Sequence, residues 1–179
     1  MIQPLRGIAW ASEKYVYAFD IIVQRFWTSP IDPVENAKWV MAGVDEEFNK
    51  ENGFRDKGYT FIVAGHNFAG GGKSIEHVVT GLMGAGIKAV FADSFSRLQF
   101  RNATNYGLPF ITCKGLVQHV KTGDELEFDP STGLIKNITT GFEAQALPVA
   151  PFVAEIAAAG GLMQFIKNKI ADGTVHELR

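Results

Sequence analysis

Residues 59–113, YTFIVAGHNFAGGGKSIEHVVTGLMGAGIKAVFADSFSRLQFRNATNYGLPFITC, decide the fold because apolar runs alternate there with segments of helical spacing. Three apolar runs predict buried strands, at residues 59–65, 87–92 and 108–113. Between the first two, apolar residues recur at 75, 78, 79 and 82, which predicts a helix that ends at Gly86. A second helix is predicted over 94–107, capped by Asp93 or Ser94.

This order of strand, helix, strand, helix and strand predicts a parallel arrangement. Right-handed crossovers bring the carboxyl ends of such strands to one edge of the sheet. We therefore expect the glycine-rich turn at 69–72, the Asp93 loop and the Cys113 loop to meet at that edge. Ligands of open α/β sheets bind at this edge, so the functional site is predicted there.

The flanking segments have other patterns. Short runs between residues 124 and 148, separated by turn residues, predict antiparallel strands. Residues 150–170 predict a last helix that Gly160 and Gly161 break or kink. The polar segment 29–58 predicts a short helix over Pro33–Met41 within a mobile flap. No interdomain linker is evident, and residues 1–179 are predicted to form a single α/β domain.

Composition excludes several classes of protein. A formal charge of -2 and a pI near 6.1 are not typical of a chain that binds nucleic acid. No apolar run reaches the roughly 20 residues needed to span a bilayer, so a cytoplasmic protein without a membrane association is predicted. Cys113 is the single cysteine, and one thiolate cannot hold an iron–sulfur cluster. No metal or cofactor bound by this chain is expected.

The stretch Asn67–His77, NFAGGGKSIEH, joins a predicted strand to a helix N-terminus, where unpaired backbone N–H groups attract anions. A phosphate-binding loop requires G-x-x-x-x-G-K-[ST]. Gly72, Lys73 and Ser74 fit that pattern, but Asn67 occupies the position of its first glycine. Nucleotide binding thus competes with a simpler explanation, in which the glycines only permit a tight turn.

Residues 59–111 resemble the core of the 3-isopropylmalate dehydratase small subunit, the swivel domain of the aconitase superfamily. The family pattern runs G-x-N-F-G-C-G-S-S-R-E-H and then S-F-A-x-I-F-x-R-N-A-x-N-x-G-L-P. Positions that match it are Gly65, Asn67, Phe68, Glu76, His77, Ser94, Phe95, Arg101, Asn102, Ala103, Asn105, Gly107, Leu108 and Pro109. Residues 36–48, 122–141 and 155–169 also resemble the family. The resemblance implies a swivelling β/β/α domain, with a partly parallel central sheet and flanking helices, that docks on a separate iron–sulfur large subunit.

The resemblance fails in the reactive loop, which aligns best with Ala69 as an inserted residue. The resemblance implies that the family's first serine is the catalytic base and that the family's arginine binds a substrate carboxylate. In this sequence those two positions are Lys73 and Ile75. Of the family's acidic run near the N-terminus, only Asp20 remains. Arg25 resembles the start of the family's substrate-selecting loop, which implies that Trp27 and Thr28 help to define specificity.

The candidate catalytic residues are Lys73, Ser74 and His77. The candidate substrate-binding residues are His66, Asn67, Gly70, Gly71, Gly72, Asp20, Arg25, Trp27 and Thr28. Lys73 could serve as a general base, form an imine or pair with an anion. Simpler alternatives are a solvated Lys73 and a Ser74 that only caps the helix.

Two functions follow from these residues. Loss of the serine and the arginine favours an enzyme that acts alone, without an iron–sulfur cluster, by proton transfer in an isomerisation, elimination or cyclisation of a small molecule. Such an enzyme would suit a specialised-metabolite pathway and could be a homo-oligomer. The alternative is a small subunit of an isopropylmalate or homoaconitate type of hydro-lyase, in which a large subunit supplies the 4Fe–4S cluster.

Overall fold

The computed structural model describes residues 3–174, which build one mixed seven-stranded sheet with helices packed against it. The strand order is β4-β3-β2-β1-β5-β6-β7. The strands are β1 (Leu5–Ser12), β2 (Phe61–Ala64), β3 (Ala89–Ala92), β4 (Phe110–Thr112), β5 (Glu125–Asp129), β6 (Leu134–Asn137) and β7 (Glu143–Gln145). The helices are α1 (Ala18–Ile21), α2 (Pro33–Trp39), α3 (Glu76–Gly84), α4 (Arg97–Tyr106), α5 (Pro151–Ala159) and α6 (Leu162–Ala171).

One half of the sheet is parallel, as predicted. Strands β1, β2, β3 and β4 pair in parallel, and α3 and α4 connect the last three. The apolar runs that predict β2, β3 and β4 are therefore confirmed as strands. Each observed strand is shorter than its run, because the flanking residues form the turns that lead into the helices.

The centre of the sheet is a strand that the sequence did not predict. Strand β1 pairs in parallel with β2 on one side and antiparallel with β5 on the other. Its sequence, LRGIAWAS, contains an arginine and a glycine, and only Ala9 and Trp10 are buried. A short segment of mixed polarity carries little local signal, and its position is set by its partners.

The antiparallel half follows β1. Strands β5, β6 and β7 pair consecutively, and the first pair joins Phe128 to Ile135. Alternate residues along β5 and β6 are buried, which is typical of a sheet with one face solvated. The predicted antiparallel strands are confirmed, and so is the partly parallel α/β fold.

The two faces of the sheet support separate apolar cores. Ile62 and Val90 point to the face covered by α3, whose Val78, Val79 and Leu82 are fully buried. Phe61 and Phe91, one residue away along their strands, point to the opposite face and pack with Phe128. This alternation follows from the two-residue period of a strand.

Among the described residues, no helix has both the length and the apolar content that crossing a bilayer requires.

The segment 29–58 packs against the body of the protein, and its predicted short helix is confirmed as α2; that the segment moves as a flap stays a prediction. Helix α2 lies against α3, and its N-terminus is capped by the Asp32 carboxylate, which accepts from the N–H groups of Val34 and Glu35. Phe48 and Phe54 are buried and meet edge to face. Because the segment 29–58 is rich in polar residues, its sequence does not indicate these apolar contacts.

The C-terminal segment forms two helices. Gly160 and Gly161 have φ angles of 86° and 110°, which end α5 and begin α6. Such angles strain any residue with a side chain, and a Cβ on Gly161 would lie 3.0 Å from the Asn105 carbonyl oxygen. The predicted interruption of the last helix is confirmed as a full break.

Candidate active site

The glycine-rich loop runs from Gly65 at the end of β2 to Ile75 at the start of α3, at the carboxyl edge of the parallel strands. Asn67 and Ala69 have φ angles of 52° and 56°. Positive φ is costly for alanine, and Ala69 is completely buried. Surrounding contacts therefore impose the conformation of this loop.

One set of contacts comes from the Asp93 loop. The Asn67 N–H donates to Ser94 Oγ at 2.8 Å, and Ser94 Oγ lies 2.9 Å from His66 Nδ1. Ser94 thus joins Asn67 to the His66 ring. The Phe68 N–H also donates to the Ser94 carbonyl oxygen at 3.0 Å. The predicted meeting of these two loops is confirmed.

These contacts explain why the predicted cap of α4 is wrong. Helix α4 begins at Arg97, and Ser96 precedes it as the N-cap. Ser94 is used by the glycine-rich loop, and Asp93 Oδ1 accepts from the Gly115 N–H at 2.7 Å. Both polar side chains bind neighbouring loops and are not available to the helix.

A second set of contacts comes from the segment after β1. Asn67 Nδ2 lies 2.5 Å from Tyr15 Oη, and the Gly70 carbonyl oxygen accepts from the Ala18 N–H at 2.9 Å. A Cβ on Gly70 would lie 1.8 Å from Tyr15 Oη. Tyr15 stacks at a tilt on Tyr17 with 4.3 Å between ring centroids. Glycine at position 70 thus gives the tyrosine room against the loop.

The exposed tip of the loop contains the candidate catalytic groups. Lys73 and Ser74 are exposed, and Lys73 forms no ion pair within residues 3–174. The Lys73 carbonyl oxygen accepts from Gln99 Nε2 at 3.1 Å, and Ser74 Oγ donates to Asn102 Oδ1 at 3.2 Å. Ser74 does not cap α3, whose N-cap is the extended residue Ile75. Its hydroxyl bonds across to α4.

Ile75, at the position of the family's arginine, is only 3% exposed and packs in the core under the loop. The next residue, Glu76, accepts from Tyr106 Oη at 2.7 Å. Burial and the adjacent carboxylate raise the pKa of Tyr106 to about 12, because both disfavour the phenolate. An apolar core side chain thus occupies the position where the family has a cation.

His77 is half-buried behind the loop and is engaged by two other candidate residues. Its Nε2 lies 2.9 Å from the Thr28 carbonyl oxygen, so this nitrogen carries the proton. The ring stacks on Trp27 with 5.3 Å between centroids, and Trp27 in turn stacks on Phe19. Trp27, Thr28 and His77 are thus brought together beside the loop.

Asp20 and Arg25 do not join the glycine-rich loop. Asp20 lines a neighbouring cleft of about 290 Å³ that also contains Lys14 and Asp45. The Arg25 guanidinium contacts Asn49 Oδ1 at 3.3 Å and lies over the Phe26 ring. No hydrogen bond or ion pair among the described residues joins either side chain to the loop, and their part in substrate binding stays a prediction.

The sequence did not predict the contribution of α4 to the site. Gln99, Asn102 and Tyr106 each contact the loop, and their spacing of three and four residues places them on one helix face. This spacing was visible in the sequence. Nothing local in the sequence indicates that partners 26 to 30 residues earlier lie against this face.

The described residues do not suit a metal cluster on this chain. They contain no group of three or more histidine, cysteine, aspartate or glutamate side chains that could hold a metal ion. Cys113 is buried in the core on the other face of the sheet, and burial, followed by the nearby Asp93 carboxylate, raises the pKa of its thiol. A neutral buried thiol is not suited to metal binding.

The fold and the strand-to-helix loop define a domain of the aconitase C-terminal class, and residues 28–114 match the Aconitase C-terminal domain family. The chain is 48% identical to the isopropylmalate/citramalate isomerase small subunit of Methanocaldococcus jannaschii, over 94% of this chain and 96% of that one. It is 40% identical to the 3-isopropylmalate dehydratase small subunit of Caldicellulosiruptor saccharolyticus, with 84% of each covered. The crystal structure of 3-isopropylmalate dehydratase (LeuD) from M. jannaschii superposes with a TM-score of 0.84, at 33% identity over 96% of this chain and 98% of that one. The chain belongs to the family of isopropylmalate dehydratase small subunits, a hydro-lyase family.

These relatives overturn the hypothesis of an enzyme that acts alone. Proteins named as small subunits match at 40–48% identity over most of the chain. Specialised-metabolite synthesis and cyclisation have no support among them. Lys73 and Ile75 alone do not indicate an enzyme that acts without a partner. Ile75 packs in the core, and Ser74 bonds to α4.

Proposed function

We propose that this chain is the small subunit of an isopropylmalate dehydratase type of hydro-lyase and works in the cytoplasm with a large subunit that carries the 4Fe–4S cluster. The observation that carries the proposal is the 48% identity over 94% of the chain to a small subunit of this type. The presence of one buried cysteine in this chain supports a cluster held by the partner. When bound there, the cluster would activate the hydroxyl group that leaves.

This chain contributes the exposed tip of the glycine-rich loop. Lys73 presents the loop's ammonium group, and Ser74 presents a hydroxyl held toward Asn102 at 3.2 Å. Lys73, which aligns with the family's first serine, binds a substrate carboxylate as a point charge and so takes over the role of the family's arginine, which is Ile75 here. Ser74 is the base that exchanges a proton with the carbon atom beside that carboxylate. His77, stacked on Trp27, orients the wall of the pocket.

The backbone N–H groups of Gly71 and Gly72 complete the anion site. Both residues are exposed, with φ angles of 111° and 74°, and they lie just before the N-terminus of α3. Backbone donors at such a position favour bound negative charge. Gly70 and Asn67 hold these donors in place through Ala18 and Tyr15, and His66 lies at the rim.

The test is reconstitution with an isopropylmalate dehydratase large subunit, followed by an assay of alkene formation from 3-isopropylmalate. We expect activity from the mixture and none from this chain alone. Lys73→Met should lower kcat/KM by about 10²–10⁴, whereas Lys167→Met, an exposed lysine on α6, should leave it unchanged. Equal loss in both variants, or turnover by this chain alone, would refute the proposal.

A further inference from the structure

Three side chains of α4 bind three consecutive parts of the reactive loop. Gln99 donates to the Lys73 carbonyl oxygen, Asn102 accepts from Ser74, and Tyr106 donates to Glu76. Their order along the helix is the order of their partners along the loop. We call the face formed by Gln99, Asn102 and Tyr106 the α4 seam.

The lengths of the two segments match. Ile75 has extended backbone angles, φ −120° and ψ 101°. Three residue steps from Lys73 to Glu76 span at most about 10 Å, at about 3.3 Å per residue. Seven residues of helix, from Gln99 to Tyr106, cover about 10.5 Å at a rise of 1.5 Å. The seam therefore aligns with the loop over its whole contact.

The amides of the seam are costly to the fold. Gln99 is completely buried and Asn102 is 8% exposed. Gln99 Oε1 and Asn102 Nδ2 are both buried without a hydrogen-bond partner in the part of the chain that the structure describes. A buried polar atom without a partner destabilises the native state, and an apolar side chain of the same shape would avoid that cost. Stability alone does not explain these residues.

We propose that Gln99 and Asn102 are positioning residues, which hold Lys73 and Ser74 in the conformation used for catalysis at the expense of stability. The inference rests on the proposed function for the identity of the reaction. The inference goes beyond the proposed function because it assigns a role in catalysis to two side chains of α4. Neither residue touches the substrate, since Gln99 is completely enclosed and acts through the Lys73 backbone.

A test that needs no partner is trypsin cleavage of the purified chain after Lys73. The bond that trypsin cuts includes the carbonyl that Gln99 binds, and the protease must draw this segment away from α4. We expect Gln99→Met to raise cleavage there about fivefold with an equal or higher Tm. Leu98→Met, on the same helix, is the matched control and should change neither. Asn102→Leu, which keeps the volume of the buried side chain, is the second variant, with the same expected rise and an equal or higher Tm.

In the reconstituted complex, Gln99→Met should lower kcat more than it changes KM, because the loop binds substrate but samples the productive conformation less often. Unchanged cleavage after Lys73 in both variants would overturn the inference. A rise accompanied by a lower Tm would also overturn it, because general destabilisation would then be the cause. An inactive wild-type complex would refute the proposed function alone, since the cleavage experiment does not depend on it.

Discussion

Helix α3 reaches the reactive loop in a fixed position because it packs closely on α2, and two glycines on α3 test that packing. A Cβ on Gly84 would lie 2.4 Å from the Pro33 carbonyl oxygen and 2.9 Å from Ala37 Cβ. The helices would have to separate by about 1 Å to reach an ordinary contact of about 3.5 Å. Such overpacking costs about 1–3 kcal/mol.

Gly81 provides the matched control, one turn earlier on α3. Its added Cβ would be 3.3 Å from Val40 Cγ2, the end of a side chain that can adjust. Both substitutions gain the same helix propensity, up to about 1 kcal/mol. The difference between Gly84→Ala and Gly81→Ala therefore isolates the approach of α3 to the backbone of α2.

Thermal unfolding followed by circular dichroism measures the difference. We expect Gly84→Ala to be less stable than Gly81→Ala by about 2 kcal/mol, which for a chain of this size lowers Tm by about 4–8 °C. Gly81→Ala should melt within about 2 °C of wild type. The close packing of α3 on the backbone of α2 is refuted if Gly84→Ala has the same Tm as the wild-type protein, or if Gly81→Ala is the less stable of the two variants.

Two further predictions concern contacts beside the site. Asp32→Ala removes the side-chain cap of α2 and should lower the free energy of unfolding in urea by about 1 kcal/mol. Asp32→Asn should retain most of the stability that the cap provides. Equal losses in the two variants would contradict the capping role of Asp32. Tyr106→Phe should lower stability by about 1 kcal/mol below pH 10. Because the folded pKa of Tyr106 is raised to about 12, this contribution is complete below pH 10 and disappears as pH rises to 12. A stability difference from wild type that stays constant over pH 9–12 would contradict the Tyr106–Glu76 bond.

Much of the parallel half could be predicted because its signals are local. The apolar runs and the spacing of Val78, Val79 and Leu82 identify strands and a helix without knowledge of their neighbours. The site was harder, as Ser94 shows. It was a reasonable local choice for the cap of α4, and partners distant in sequence direct its side chain elsewhere. Ser94, for example, binds His66 and Asn67 and does not cap α4.

The sequence by itself determined the order of elements in residues 59–113 and the glycine-rich turn at the carboxyl edge of the sheet. Backbone periodicity and turn chemistry act over a few residues and are written there directly. The tertiary structure alone decided that β1 joins the two halves of the sheet. It also decided that Gln99 meets Lys73 and that Thr28 meets His77, 26 and 49 residues apart. Such contacts depend on how elements pack, because the same local patterns are compatible with many arrangements of their neighbours.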